Sequence, residues 1–290
     1  MNHVKSKVLR GLAALASSSA LAVLVAVAPV SAVSTTQLLS ASETAAGQLT
    51  TNTATLHAGV ATVTINNQNP NADIETFQPT NGATLADVNT HLQAVGAGGT
   101  AAATAMQWFE QHSIFHGGLS SGLGRITYQK VLAAGTYYIA DLHNLPGAAV
   151  SFSVSGSSSE QLQPTNQYIR ETGSGTTEHF VVTGATGSPA LYRGCVRVAN
   201  QTTQLHFAGF AQVVSGTTDA QVQAFYNGTG SDPTVQSGTV SFGTLSANQS
   251  VNLNLQLAPA TYNVASFIPD DQTGTAQAVL GMHKVFTVLP

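Results

Sequence analysis

Strict alternation of apolar and polar side chains over five to seven residues recurs along the 290-residue chain, at 60–65, 150–154 and 251–257, with Gly, Asn and Pro between the runs. Successive side chains of a strand face opposite sides, so each run fits a half-buried β-strand. Many short strands bounded by turn residues predict a mainly-β chain built as a sandwich.

Self-similarity sharpens the expectation. Residues 59–63 (GVATV) are echoed by 194–198 (GCVRV), 82–88 (GATLADV) by 216–222 (GTTDAQV), and 132–137 (LAAGTY) by 257–262 (LAPATY), in the same order. In each copy an Asn-rich turn leads into a short helix opened by Thr84 or Thr218, and an alternating strand later turns tightly into a Tyr-led strand. Three echoes in register predict a tandem duplication. The first domain is placed at 49–155 and the second at 160–290, with the boundary in the small residues 156–159. Helices are expected over 85–95, 101–115 and 219–225, and a long loop over 269–281.

Lys5, Lys7 and Arg10 precede an apolar run at 12–27 and the small-residue ending Val30, Ser31, Ala32. That order reads as a secretory leader spanning 1–32, followed by a linker at 33–48. The run is short for a spanning helix of about 20 apolar residues. Without the leader, six of the nine bases remain against thirteen acids, a formal charge of −7. Acidity without basic clusters argues against nucleic acid and anionic lipid as partners, since both attract Lys and Arg. The expected location is extracellular or in the cell envelope, with no membrane span after cleavage. Cys195 has no partner for an internal disulfide and reads as a small buried hydrophobe between Gly194 and Val196.

Several residues carry candidate chemistry. His112 and His116 are four apart, so on one continuous helix they would share a face and could bind a metal, although solvated imidazoles are the default. His143 could join a site near Asp141. Gly118, Ser120 and Gly122 match a hydrolase elbow in spacing, but a helix-like segment precedes them and a strand follows, the reverse of what that motif needs. They read as a glycine-rich hairpin. Asp270 and Asp271 lack the alternating ligands of a calcium loop and read as solvating a turn.

Residues 260–270 (ATYNVASFIPD) and 277–282 (QAVLGM), followed by a Val-rich final strand, resemble the secreted bacterial cupredoxin-like proteins of the blue-copper type. The likeness covers roughly the last hundred residues and, more faintly, the first copy. It implies two tandem cupredoxin-like Greek-key β-sandwich domains with short helical insertions. It also implies a copper ligand set of one early His and a Cys, His and Met around the last loop. The early His falls on His206 and the Met on Met282, while Ser266 stands at the Cys position and Gln277 at the second His. Two imidazoles and a thiolate suit both copper oxidation states, and a hydroxyl and an amide do not replace them. In the first copy Ala72 and Asp141 stand where His206 and Ser266 do. The resemblance therefore implies a lost type 1 site, no cofactor, and a non-catalytic binding or envelope-associated structural role. The alternative is a copper-handling protein with a non-blue site at His206, Met282 and, if the loop kinks, His283. Met282 also fits a core position, and His206 an outward strand position between inward Leu205 and Phe207.

Overall fold

Alternation decides the elements. In the computed structural model, which describes residues 37–236 and 241–290, the first half forms β1 (Gln37–Glu43), β2 (Leu49–Thr51), β3 (Thr55–His57), β4 (Gly59–Asn67), β5 (Ile74–Pro79), α1 (Leu85–Ala97), α2 (Gly99–His112), β6 (Ser113–Ser121), β7 (Gly124–Leu132), β8 (Gly135–Asp141) and β9 (Ala149–Ser155). The second half forms β10 (Tyr168–Thr172), β11 (His179–Thr183), β12 (Ala190–Tyr192), β13 (Gly194–Asn200), β14 (His206–Val213), α3 (Asp219–Tyr226), β15 (Thr234–Gln236), β16 (Ser241–Leu245), β17 (Ser250–Leu255), β18 (Ala260–Ala265) and β19 (His283–Leu289). The leader expected at 1–32 lies outside the described residues.

Two large sheets result, and both halves contribute to each. The first runs β11-β10-β13-β17-β7-β4-β1-β2, and the second β12-β19-β18-β14-β16-β6-β5-β8-β9-β3, with β15 on β14. Each order reads as one half followed by its counterpart reversed. In the first sheet the halves join where Tyr128 of β7 pairs with Leu253 of β17. These stand four residues before Leu132 and Leu257, so each residue pairs with its own counterpart. In the second sheet Leu119 of β6 pairs with Phe242 of β16, and these in turn pair with Ile74 and Ala208. Ile74 and Ala208 each stand eight residues before the echoed Gly82 and Gly216.

The inner faces share one apolar cluster drawn from both sheets and both halves, including Leu39, Val63, Tyr128, Phe152, Phe180, Val198, Phe242 and Phe286. Local devices are duplicated as well. Tyr137 donates its hydroxyl to Ala133 O at 2.9 Å, and Tyr262 donates to Ala258 O at 3.0 Å. Thr84 and Thr218 each close a capping box, with Asp87 and Gln221, satisfying N–H groups that a helix start leaves unpaired.

The inserted helices α1 and α2 are divided at Gly98 and Gly99, whose φ of +72° and +57° would strain a residue with a Cβ. They cover a second apolar cluster holding Phe77, Val88, Met106, Phe109 and Phe115. Helix α2 ends at His112 because Ser113 is extended and the chain enters β6. His112 and His116 therefore share no helix face, contrary to the sequence expectation. The linker expectation also fails from Gln37 onward, where a parallel register with β4 buries Leu39 and Ala41. Residues 156–159 are exposed and lie between β9 and β10. No helix among the described residues is long and apolar enough to cross a membrane.

Candidate functional site

The residues singled out by the resemblance converge at one end of the second half. Strand β13 ends at Asn200, whose Nδ2 donates to Gln204 O at 2.7 Å and Leu245 O at 3.0 Å, while its Oδ1 accepts from Thr202 N at 2.9 Å. This fixes the turn that delivers His206 to the start of β14. From β18, Ser266 hands the chain to the long loop, which returns Gln277 over the sheet end. The backbone ties this loop down: Ser266 N donates to Met282 O at 3.1 Å, and Met282 N to Gln277 O at 2.9 Å.

His206 is fully buried, which corrects the outward placement expected from its neighbours. In β14 it lies in phase with the inward Ala208 and Phe210, and the half-buried Phe207 takes the opposite face. His206 Nδ1 lies 2.8 Å from Gln277 Oε1, and the same oxygen accepts from Ser266 Oγ at 2.6 Å. Gln277 Nε2 donates to Leu205 O at 3.1 Å and Gln204 Oε1 at 3.2 Å. An amide oxygen carries no proton, so Nδ1 is the donor. On the other side Nε2 has Thr202 Oγ1 at 2.8 Å and makes an ion-pair contact with Glu178 Oε2 at 3.0 Å.

The surrounding charges hold a proton on this ring. Burial lowers the pKa of His206, but the Glu178 bond and the charges of Glu171 and Glu178, with Gln277, outweigh it and leave the value raised. Glu171 is itself fully buried with neither carboxyl oxygen hydrogen-bonded; burial pushes its pKa up to about 7, His206 opposes, and Glu178 adds to the rise. Burial and Asp271 likewise raise Glu110 of α2 to about 8.

Three of the four positions that the resemblance singles out thus meet: His206, Ser266 and Gln277. The arrangement does not fit copper. Both ring nitrogens are engaged, and neither the hydroxyl nor the amide is a soft donor. Among the described residues no group of three or more His, Cys, Asp or Glu is disposed to hold a metal ion. Met282 is buried in the main apolar cluster. His283 does not join it, because its Nε2 meets Gln223 Oε1 of α3 at 3.0 Å.

The first half repeats the frame with other contents. Glu43 pairs across the sheet with Asn67 as Glu171 does with Asn200, and both glutamates are buried. Asp141 accepts from the backbone N of Asp73 at 3.0 Å and of His143 at 3.1 Å, and from Asn144 Nδ2. His143 Nδ1 is bound to Asn71 O. Ala72 is buried where the second half has its imidazole.

The remaining candidates fall elsewhere. His112 stacks on Trp108 at 4.7 Å, whereas His116 is buried in β6 beside Tyr137 at 5.1 Å. Ser120 sits within β6, so the Gly-x-Ser-x-Gly spacing forms strand and hairpin and no elbow. Asp270 is buried, not solvated: it accepts from Gln204 Nε2 at 2.9 Å, Gln272 N at 3.1 Å and Thr273 N at 2.8 Å. Cys195 is exposed, because β13 turns Val196 and Val198 inward and leaves the thiol on the outer face. Sequence reasoning missed Glu171 and Glu178. In a chain only 8% charged, a glutamate inside the alternating run of β10 was the available signal.

No family model matches the chain, and no curated protein is detectably similar to it. Solved structures do align with it. Auracyanin B aligns over 42% of this chain and 87% of that one, at 16% identity and a TM-score of 0.26. A dithionite-reduced auracyanin from the photosynthetic bacterium Roseiflexus castenholzii aligns over 42% and 95%, at 18% identity and a TM-score of 0.26. A copper-containing nitrite reductase from Thermus scotoductus SA-01 aligns over 87% and 61%, at 9% identity and a TM-score of 0.23. Likeness of that size carries no argument about chemistry, which rests on the registers and contacts above.

Proposed function

We propose that this is an exported, non-catalytic protein made of two cupredoxin-like copies duplicated in tandem, whose type 1 copper site has become a buried polar brace. Its role is then binding or structural, at the cell envelope or outside it. The observation that carries this reading is the contact set of His206: Nδ1 on the Gln277–Ser266 pair and Nε2 on Thr202 and Glu178. A buried network that engages both ring nitrogens of His206 fixes loop geometry and leaves the imidazole no free coordination position. The duplicated strand order and the paired counterparts Tyr128–Leu253 and Leu119–Phe242 support the tandem origin.

Metal analysis of protein purified without chelator tests the reading, together with copper titration followed by absorption and melting. The expected result is no retained copper and no melting shift in the natural protein. The double variant Ser266→Cys/Gln277→His is expected to gain copper and an intense visible thiolate-to-copper band, since it restores soft donors on the same frame. One copper per chain in the natural protein, weakened by His206→Ala or Met282→Ala, would establish the copper-handling alternative.

A further inference from the structure

A second concavity opens away from His206, where the inserted helices of the first half meet strands and loops of the second. It encloses about 220 Å³ and is walled by Leu92 and Val95 of α1, Met106 and Phe109 of α2, and the half-exposed Phe267. Its polar floor is Asp73, beside Ser120 and Thr244. Asp73 Oδ1 is buried and has no hydrogen-bond partner. Behind it lies Glu75, fully buried, whose Oε1 accepts from Thr244 N at 2.7 Å and whose Oε2 is unpartnered. Gly243 and Gly118 leave the space for that carboxyl: a Cβ there would stand 2.4 Å and 2.6 Å, respectively, from Glu75 Oε2.

An acceptor left unpaired out of water is costly, so the unpartnered Asp73 Oδ1 at this cavity needs an explanation. When ionised, the Asp73 carboxyl only accepts, so it suits a donor. The groups facing Asp73 are Glu75, Asp141, His143 and Ser120, and two of these are carboxyls. An anionic guest is therefore disfavoured and a cationic donor favoured. The walls ask for an apolar body. A dry apolar cavity of about 150 Å³ holds benzene, so this one has room for a ring and a short chain.

We infer that this cavity binds a small primary amine with an aromatic or branched aliphatic body, its ammonium on Asp73 and its body between α1, α2 and Phe267. Ammonium-to-carboxylate bonds in a water-poor site are among the stronger ones available to a small ligand. Burial holds both Asp73 and Glu75 above the usual carboxylate range, which keeps them from ionising together until a cation arrives. The inference does not depend on whether the His206 end binds copper.

Calorimetric titration of the whole protein with phenethylamine, in mildly alkaline buffer, tests it against phenethyl alcohol, which has the same body and no charge. The amine is expected to bind with one-to-one stoichiometry, about tenfold or more tighter than the alcohol. Asp73→Asn is expected to remove that preference, and Val95→Trp, which fills the cavity from α1, to remove binding of both. If Asp73→Asn does not fold, the amine-to-alcohol ratio and Val95→Trp decide alone. No heat with millimolar amine, equal affinity for the alcohol, or amine binding unchanged by Val95→Trp would overturn the assignment.

Discussion

Tyr128 and Leu253 each stand four residues before an echoed leucine, Leu132 or Leu257, and are paired to each other across the middle of the first sheet. Opposite them Leu119 pairs with Phe242, and the Tyr128 ring meets Phe242 edge-on at 5.4 Å. The Tyr128 hydroxyl donates to Gly117 O at 3.0 Å and lies 3.1 Å from Thr76 Oγ1. An approximate twofold thus runs through the densest part of the core, and each half closes the other's open sheet edge.

Half a chain should therefore not fold alone. A fragment of residues 37–158 would expose β6 and β7 as long unpaired edges, which invite aggregation. In the whole protein, Trp108 in the first half and a fluorophore attached to Cys195 in the second should report one urea midpoint. Tyr128→Ala should shift both probes together, lowering the unfolding free energy that each reports by about 3–5 kcal/mol. Two separated midpoints, or a fragment that unfolds cooperatively, would show independent domains.

Much of this was legible in the sequence because it depends on local pattern. Capping at Thr84 and Thr218, and the strands at 60–65 and 251–257, follow from side chains within a few residues. What was not legible depends on what lies above a strand. His206 and Cys195 each sit in an alternating run, and alternation gives two faces without saying which is covered. His206 turns out to share the inward face with Ala208 and Phe210, and Cys195 to lie on the outer face of β13. The pairing of His116 with His112 failed for a similar reason: spacing assumes a continuous helix, and the extended Ser113 ends it. The network around His206 was half visible. Ser266 and Gln277 came from the resemblance, whereas Glu178 arrives from a turn near 175–178 that nothing in its own sequence ties to the site.

Glu171 should make stability depend on pH in a way its amide isostere does not. Its pKa is 4.5 for the free group and about 7 when folded. Between these values the folded chain keeps a proton that the unfolded chain has released, so stability falls as pH rises through that window and stays lower above it. His206, raised above its free value, acts in the same direction at higher pH, while buried His116, lowered well below its own, acts oppositely in acid. The substitution Glu171→Gln removes this carboxyl together with its upward pull on His206. The variant should match the natural protein near about pH 4.5 and exceed it by on the order of 3 kcal/mol near about pH 8, measured by urea unfolding. Parallel curves for the two proteins across this range would mean that Glu171 finds a partner for its charge in solution.

Trp108 should act as a built-in reporter of the helical insertion. It is the single tryptophan, with His91 stacked on one face at 4.0 Å and 11°, and His112 on the other at 4.7 Å and 7°. His112 Nδ1 is bound to Trp108 O at 2.9 Å, so that ring is held in place by its own helix. Burial, with His112 in support, lowers the pKa of His91, and Asp87 opposes. An imidazolium on an indole face gains cation–π attraction and accepts electron density from the excited ring. Fluorescence should therefore drop as pH falls, with the His91 step below the free imidazole value of 6.5 because burial opposes its protonation. His91→Ala should remove that step and leave the far-ultraviolet circular dichroism unchanged. A flat profile in folded protein, or a step that survives His91→Ala with its midpoint unmoved, would mean that α1 does not hold His91 against the indole in solution.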